Sequence, residues 1–133
     1  MTSIFSKIVR KEIPAYILAE DENFLAFLDV FPLVEGHVLV IPKQEIDYFF
    51  DIEDQLLSDF LCFAKKVARN LKKAVPCKKV GMAVIGLEVP HAHIHLVPLQ
   101  TVGDINFSKP KLTLSQEEML NIHQKIKLYF ENF

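Results

Sequence analysis

Cysteine is scarce in this chain: Cys62 and Cys77 are the only two in 133 residues. They are not set as a C-x-x-C pair, which argues against a disulfide scaffold or a cysteine metal motif. Cys62 lies among Phe60, Leu61 and Phe63, so it is expected as a buried, reduced thiol. The opening Met1–Ser6 lacks the apolar stretch of a secretory signal, and no apolar run is long enough to span a bilayer. Positive charge is not in excess either. The net charge is −2, and the pairs Lys65-Lys66, Lys72-Lys73 and Lys78-Lys79 read as the solvated side of one helix and its exit. A nucleic-acid polymer is therefore not the expected partner. Repeats and low-complexity segments are also missing. The expectation is a cytoplasmic protein without membrane contact.

What is present is a chain able to bury a core without staples, with 50% apolar and 24% charged residues. Residues 4–14 open with Ile4-Phe5 and Ile8-Val9 at helical spacing and stop at Pro14, which fits a short helix or turn. Tyr16–Glu20 and Phe24–Leu28 read as strands of a hairpin turning at Asp21-Glu22-Asn23. Residues 29–36 form a loop, and His37–Pro42 is a strand apolar on both faces, hence central. From Asp51 the period lengthens. Leu56, Leu57, Phe60, Leu61, Ala64, Val67, Ala68 and Leu71 make the inner stripe of a long helix ending near Val75-Pro76. Val80–Ile85 is a further strand, joined by a short 86–89 connection to an antiparallel partner. Residues 99–112 are irregular. Ser115 and Glu118 then form a capping box for a helix through Phe130, with His123 at its surface. The fold class is α+β: a mostly antiparallel five-stranded sheet with one long central helix. The whole chain, 1–133, reads as one domain, with the C-terminal helix (about 115–132) as an extension.

The most unusual stretch is Pro90-His91-Ala92-His93-Ile94-His95-Leu96-Val97-Pro98. It gathers three of the five histidines. They alternate with apolar residues, so in an extended strand His91, His93 and His95 share one face, with neighbours roughly 7 Å apart. Such a row suits an anionic group with several oxygens, or a metal helped from elsewhere. Three ligands at i, i+2, i+4 converge on one ion only if the strand bulges.

Together with Asp29-x-x-Pro32-x-x-x-Gly36-His37-x-Leu39-Val40-Ile41-Pro42-Lys43, this stretch resembles the signatures of the histidine-triad (HIT) family of nucleotide hydrolases and transferases. The likeness is nearest its Hint-like branch. The start Ile4-Phe5-Ser6-Lys7-Ile8-Val9, followed by Glu12-Ile13-Pro14, is also similar to the usual start of that family. The resemblance implies a HIT-like fold and a reaction at the α-phosphate of a purine ribonucleotide derivative, such as a nucleoside phosphoramidate. It implies His93 as nucleophile, forming a nucleotidyl-histidine, with His95 donating to a non-bridging oxygen. His37 would help orient the nucleophile and His91 would be structural. Asp29 would accept from the ribose hydroxyls, and Ile4, Phe5, Ile8, Phe27, Val30 and Leu39 would wall the base pocket. Read from the residues alone, those six are core. No cofactor is expected, and a homodimer covering the apolar edge near Val80–Ile85 is.

Two departures from the family pattern stand out. Where family members usually carry glutamine and a hydroxyl residue after the glycine, this chain has Leu87 and Glu88. A protonated Glu88 could replace the hydroxyl as donor to the leaving group; the other reading is a solvated turn carboxylate. Some members also bind zinc through an N-terminal C-x-x-C. Ser3 and Ser6 stand at those positions, and hydroxyls are poor zinc ligands, so no metal is expected. The alternative to an enzyme is a nucleotide-sensing or partner-binding module with little turnover.

Overall fold

A computed structural model describes residues 2–133. Three α-helices and five strands follow one another as α1 (Ile4–Val9), β1 (Ile17–Glu20), β2 (Phe24–Leu28), β3 (Val38–Pro42), α2 (Asp54–Ala74), β4 (Lys79–Ala83), β5 (Ile94–Leu99) and α3 (Gln116–Lys127). The strands form one sheet in the order β1-β2-β3-β5-β4, with every neighbouring pair antiparallel. This is the expected α+β architecture. No helix among the described residues is long and apolar enough to cross a membrane.

The period-2 alternation of β2 and β3 divides their side chains between two cores. Phe24, Ala26, Leu28, Val38 and Val40 face the larger one, where α2 contributes Phe60, Phe63, Ala64, Val67 and Leu71, and α3 contributes Met119, Ile122 and Ile126. Phe24 stacks on Phe60 with ring centroids 5.4 Å apart. Leu25, Phe27, Leu39 and Ile41 face the opposite way, onto Phe5 and Ile8 of α1. That second layer is thin: one short helix covers it where two longer ones cover the other.

Helix starts follow the carboxylate and hydroxyl signals. Glu53 caps α2 by accepting from the N–H groups of Gln55 and Leu56, and Ser115 with Glu118 forms the capping box of α3. The inner stripe of α2 is rotated from the expected one. Phe63 is buried and Leu61 exposed, and Cys62 is exposed rather than buried, because it lies off the arc through Phe60, Ala64, Val67 and Leu71. His123 is half-buried, not a free surface group. Its Nε2 donates to the Ile17 carbonyl at 2.7 Å, tying α3 to β1.

The histidine stretch is a strand only from Ile94. The β3–β5 ladder runs from Val38↔Leu96 to Val40↔Ile94 and stops there; beyond it the Ala92 N–H donates to the Ile46 carbonyl, and the Pro42 carbonyl accepts from the His91 ring. The connection from β4 to β5 therefore spans residues 84–93, longer than the sequence suggests, and crosses over the second layer.

Candidate active site

An open cleft of about 560 Å³ lies on the thin side of the sheet. All six expected base-pocket residues line it: Ile4, Phe5, Ile8, Phe27, Val30 and Leu39. Asp29, Glu88, His93 and His95 line it as well, whereas His37 and His91 sit behind the wall, fully buried. The alternation of the triad survives the broken ladder. Ala92, Ile94 and Leu96 enter the main core, and the imidazoles turn the other way. His93 and His95 are closer than in a flat strand, with ring centroids 4.9 Å apart.

Hydrogen bonds assign a proton to each ring. His93 Nδ1 lies 2.7 Å from the carbonyl oxygen of His91. A carbonyl only accepts, so Nδ1 carries the hydrogen and the Nε2 lone pair is free. The backbone N–H of Leu33 donates to His37 Nδ1 at 3.0 Å. His37 therefore carries its hydrogen on Nε2, which donates to His95 Nδ1 at 2.9 Å. His95 is left with an Nε2–H as its remaining donor. His37 thus hydrogen-bonds His95 and not His93, the residue that the family resemblance implies it orients, which corrects the expected contact. The partner differs because Leu39↔His95 is a register pair of the sheet, and His37 stands two residues before Leu39 on the same face. Both rings are kept neutral. Burial and the neighbouring positive groups push His95 down to about 3 and His37 down to about 4.

Gly36 makes this turn possible. Its φ is +92°, and a Cβ there would stand 3.0 Å from Val75 Cγ2. The same loop holds Asp29, whose Oδ1 accepts from the Phe31 N–H at 2.9 Å. Burial raises the Asp29 pKa, and the Phe31 hydrogen bond moderates the rise.

His91 is fixed at both nitrogens. Nε2 donates to the Pro42 carbonyl at 2.8 Å, and Nδ1 accepts from Ser3 Oγ at 2.8 Å. Ser6 Oγ and the Ser3 N–H both donate to Glu45 Oε1 at 2.6 Å. Ser3, Ser6, Glu45 and His91 thus form one hydrogen-bonded cluster. Its two hydroxyls do not make a zinc donor set. Another potential metal cluster, Asp29, His37 and His95, brings its ligand atoms within 4.8 Å of one another. There the His37–His95 hydrogen bond occupies the two facing nitrogens, so a cation would have to break it.

Glu45, Phe107 and Lys111 belong to the surroundings of the site although no motif in the sequence marks them. Phe107 lies edge-on to His95, with centroids 4.7 Å apart, and Lys111 lines the cleft. Both come from the stretch read as merely irregular. An aromatic residue in a polar loop is the one available signal there.

Comparison with known proteins matches this architecture. The HIT domain family model covers residues 10–102. A HIT-like protein of Borreliella burgdorferi is 33% identical, over 94% of this chain and 96% of its own length. Adenosine 5′-monophosphoramidase HNT1 of Candida albicans is 31% identical, over 93% of this chain and 88% of that protein. Among solved structures, a Hit-like protein from Bartonella henselae superposes with a TM-score of 0.81 at 27% identity, covering 96% of both chains. The chain belongs to the HIT family.

Proposed function

We propose that this protein is a nucleotide hydrolase or transferase acting at the α-phosphate of a purine ribonucleotide derivative, such as a nucleoside phosphoramidate. The observation that carries this reading is the proton order of the two cleft histidines. His93 offers a lone pair at Nε2 and, beside it, His95 offers an N–H at Nε2. Attack by His93 gives a nucleotidyl-histidine while His95 meets the charge growing on a non-bridging oxygen. Asp29 faces the cleft as an acceptor for ribose hydroxyls, and the apolar wall around Phe5 and Phe27 suits a purine. The HNT1 relatives, named as adenosine 5′-monophosphoramidases, favour the same class of substrate.

Turnover of an adenosine phosphoramidate by the purified protein, with His93→Ala beside it, tests the reading. The variant is expected to lose roughly three orders of magnitude or more in turnover while still binding nucleotide. Near-native turnover in His93→Ala would remove the covalent step. Asp29→Ala is expected to weaken ribonucleotide binding by about 1.5–3 kcal/mol and a 2′,3′-dideoxy analogue far less. Equal losses would make Asp29 a turn residue only.

Leu87, 89% exposed, and Glu88, exposed at the cleft wall, favour a second reading of binding without turnover, since neither supplies the hydroxyl or amide donor usual in the family. Glu88 acts as leaving-group donor only while protonated. Loss of the alkaline limb of the pH–rate profile in Glu88→Gln, with a large rate drop, would support that role; an unchanged profile would remove it. A homodimer through the open edge of β4 belongs to the same proposal. Met82, Val84 and Ile85 stand exposed along and just beyond that edge.

A further inference from the structure

Past the residues that match the family model, the chain folds back over the site. Residues 106–112 cross the histidine end of the cleft as a strap. The Leu112 N–H donates to the Pro32 carbonyl at 2.8 Å, which pins the strap to the Asp29 loop. Asn106 and Lys109 close a turn by a backbone hydrogen bond of 3.2 Å. Phe107, between them in the chain, covers the edges of His95 and His37. The strap ends by bringing Lys111 into the cleft wall. Lys111 is the sole lysine or arginine among the described lining residues, whereas Asp29 and Glu88 both add negative charge. No carboxylate lies within ion-pair distance of its ammonium among the described residues. Its charge nonetheless reaches the reacting groups: it helps hold His37 and His95 neutral and favours ionised Asp29.

We propose that Lys111 is the specificity-determining cation of this site, held by the 106–112 strap to receive a phosphate-bearing, anionic leaving group. The proposal rests on the nucleotide reading above and adds what the cleft selects on the far side of the α-phosphate. Leaving groups differ in what they need. A departing amine must take a proton, and the residues usual for that are replaced here by Leu87 and Glu88. A departing phosphate needs only its added negative charge offset, and an ammonium at the cleft wall does this. In that step the His93 Nε2 lone pair forms the N–P bond as the P–O bond to the leaving phosphate breaks. The bond's electron pair goes to the bridging oxygen, which departs one charge more negative beside Lys111, and the ammonium keeps its proton. Water then adds to phosphorus, the N–P pair returns to Nε2, and one water proton goes to solvent. The products are a nucleoside monophosphate and the free leaving phosphate.

Two measurements test it. The first is kcat/KM for a dinucleoside polyphosphate and for an adenosine phosphoramidate, in wild type, Lys111→Ala and Lys111→Arg. Lys111→Ala is expected to shift the polyphosphate-to-phosphoramidate ratio down by about tenfold or more, and Lys111→Arg to recover most of it. The second is binding of ADP against AMP by calorimetry, which needs no turnover. The ADP preference is expected to fall about fivefold or more in Lys111→Ala and to return in Lys111→Arg. Unchanged ratios in both measurements would overturn the role of Lys111 while leaving the nucleotide reading intact. Failure of the wild type to bind either nucleotide would overturn the nucleotide reading itself, and this proposal with it.

Discussion

Burial holds His95 near a pKa of about 3 and His37 near about 4, and it lowers His91 as well. In the unfolded chain each returns to an ordinary value of about 6.5. Between those limits the unfolded state binds protons that the folded state refuses, so stability is full above about pH 6.5 and falls as the pH drops toward 4. Asp29, raised by burial, works in the opposite sense, its contribution being lost as pH rises, but it is one group against three. The melting temperature is expected to decline steadily from about pH 6.5 to about 5, above the range in which carboxylates that are lowered in the fold, such as Glu45, begin to take up protons in the unfolded chain. A flat melting temperature across that window would show that the rings are not buried as neutral species. The same neutrality serves the chemistry, because protonation of His95 Nδ1 would remove the acceptor that His37 Nε2–H requires.

Helix α1 carries more than its six residues suggest. Its N-cap, Ser3, accepts from the Ser6 N–H at 3.0 Å and donates to His91 Nδ1 at 2.8 Å. Ser3→Ala removes both partners from buried groups and is expected to cost about 2–4 kcal/mol, read as a lower denaturant midpoint at constant m-value. Ser3→Thr, which keeps the hydroxyl, should recover most of that; equal losses would exclude the hydroxyl as the cause. The Ile4, Phe5 and Ile8 spacing left α1 open between a helix and a turn, whereas the hairpin, the central strand and both long helices were legible, because each is a local pattern. The expected site residues other than His37 and His91 were legible as cleft lining through the family likeness. Three features were not legible. Glu45 meets Ser3 and Ser6 across 42 and 39 residues, and no spacing rule spans such a gap. The partner of His37 depends on sheet register, which alternation alone leaves open. Phe107 and Lys111 reach the cleft through a loop held by backbone contacts, which side-chain patterns do not report.

At the scale of the whole molecule, the sheet ends in two unlike edges. β1 is tied to α3 by His123 and by Lys127, whose Nζ donates to the Leu18 carbonyl at 2.9 Å. β4 is open on its outer side, with Met82 exposed. The proposed homodimer is therefore expected at twice the 15.3 kDa chain mass in sedimentation, with Met82→Lys shifting it toward the single chain. A wild type that sediments as one chain at micromolar concentration would show that this edge needs no partner. The sheet's two faces are just as unequal. The layer beneath α1 is completed by whatever enters the cleft, since Phe5, Ile8, Phe27 and Leu39 both close that core and wall the cavity. A bound base would act there as a missing piece of the interior, so occupancy and local folding are thermodynamically linked. At a hundredfold excess over its Kd, a nucleotide should add about 2.7 kcal/mol to global stability. Amide exchange through local opening should slow most in α1, whose burial the base would complete, while core amides of α2 and α3, sealed on the other face, slow only by the increment in global stability.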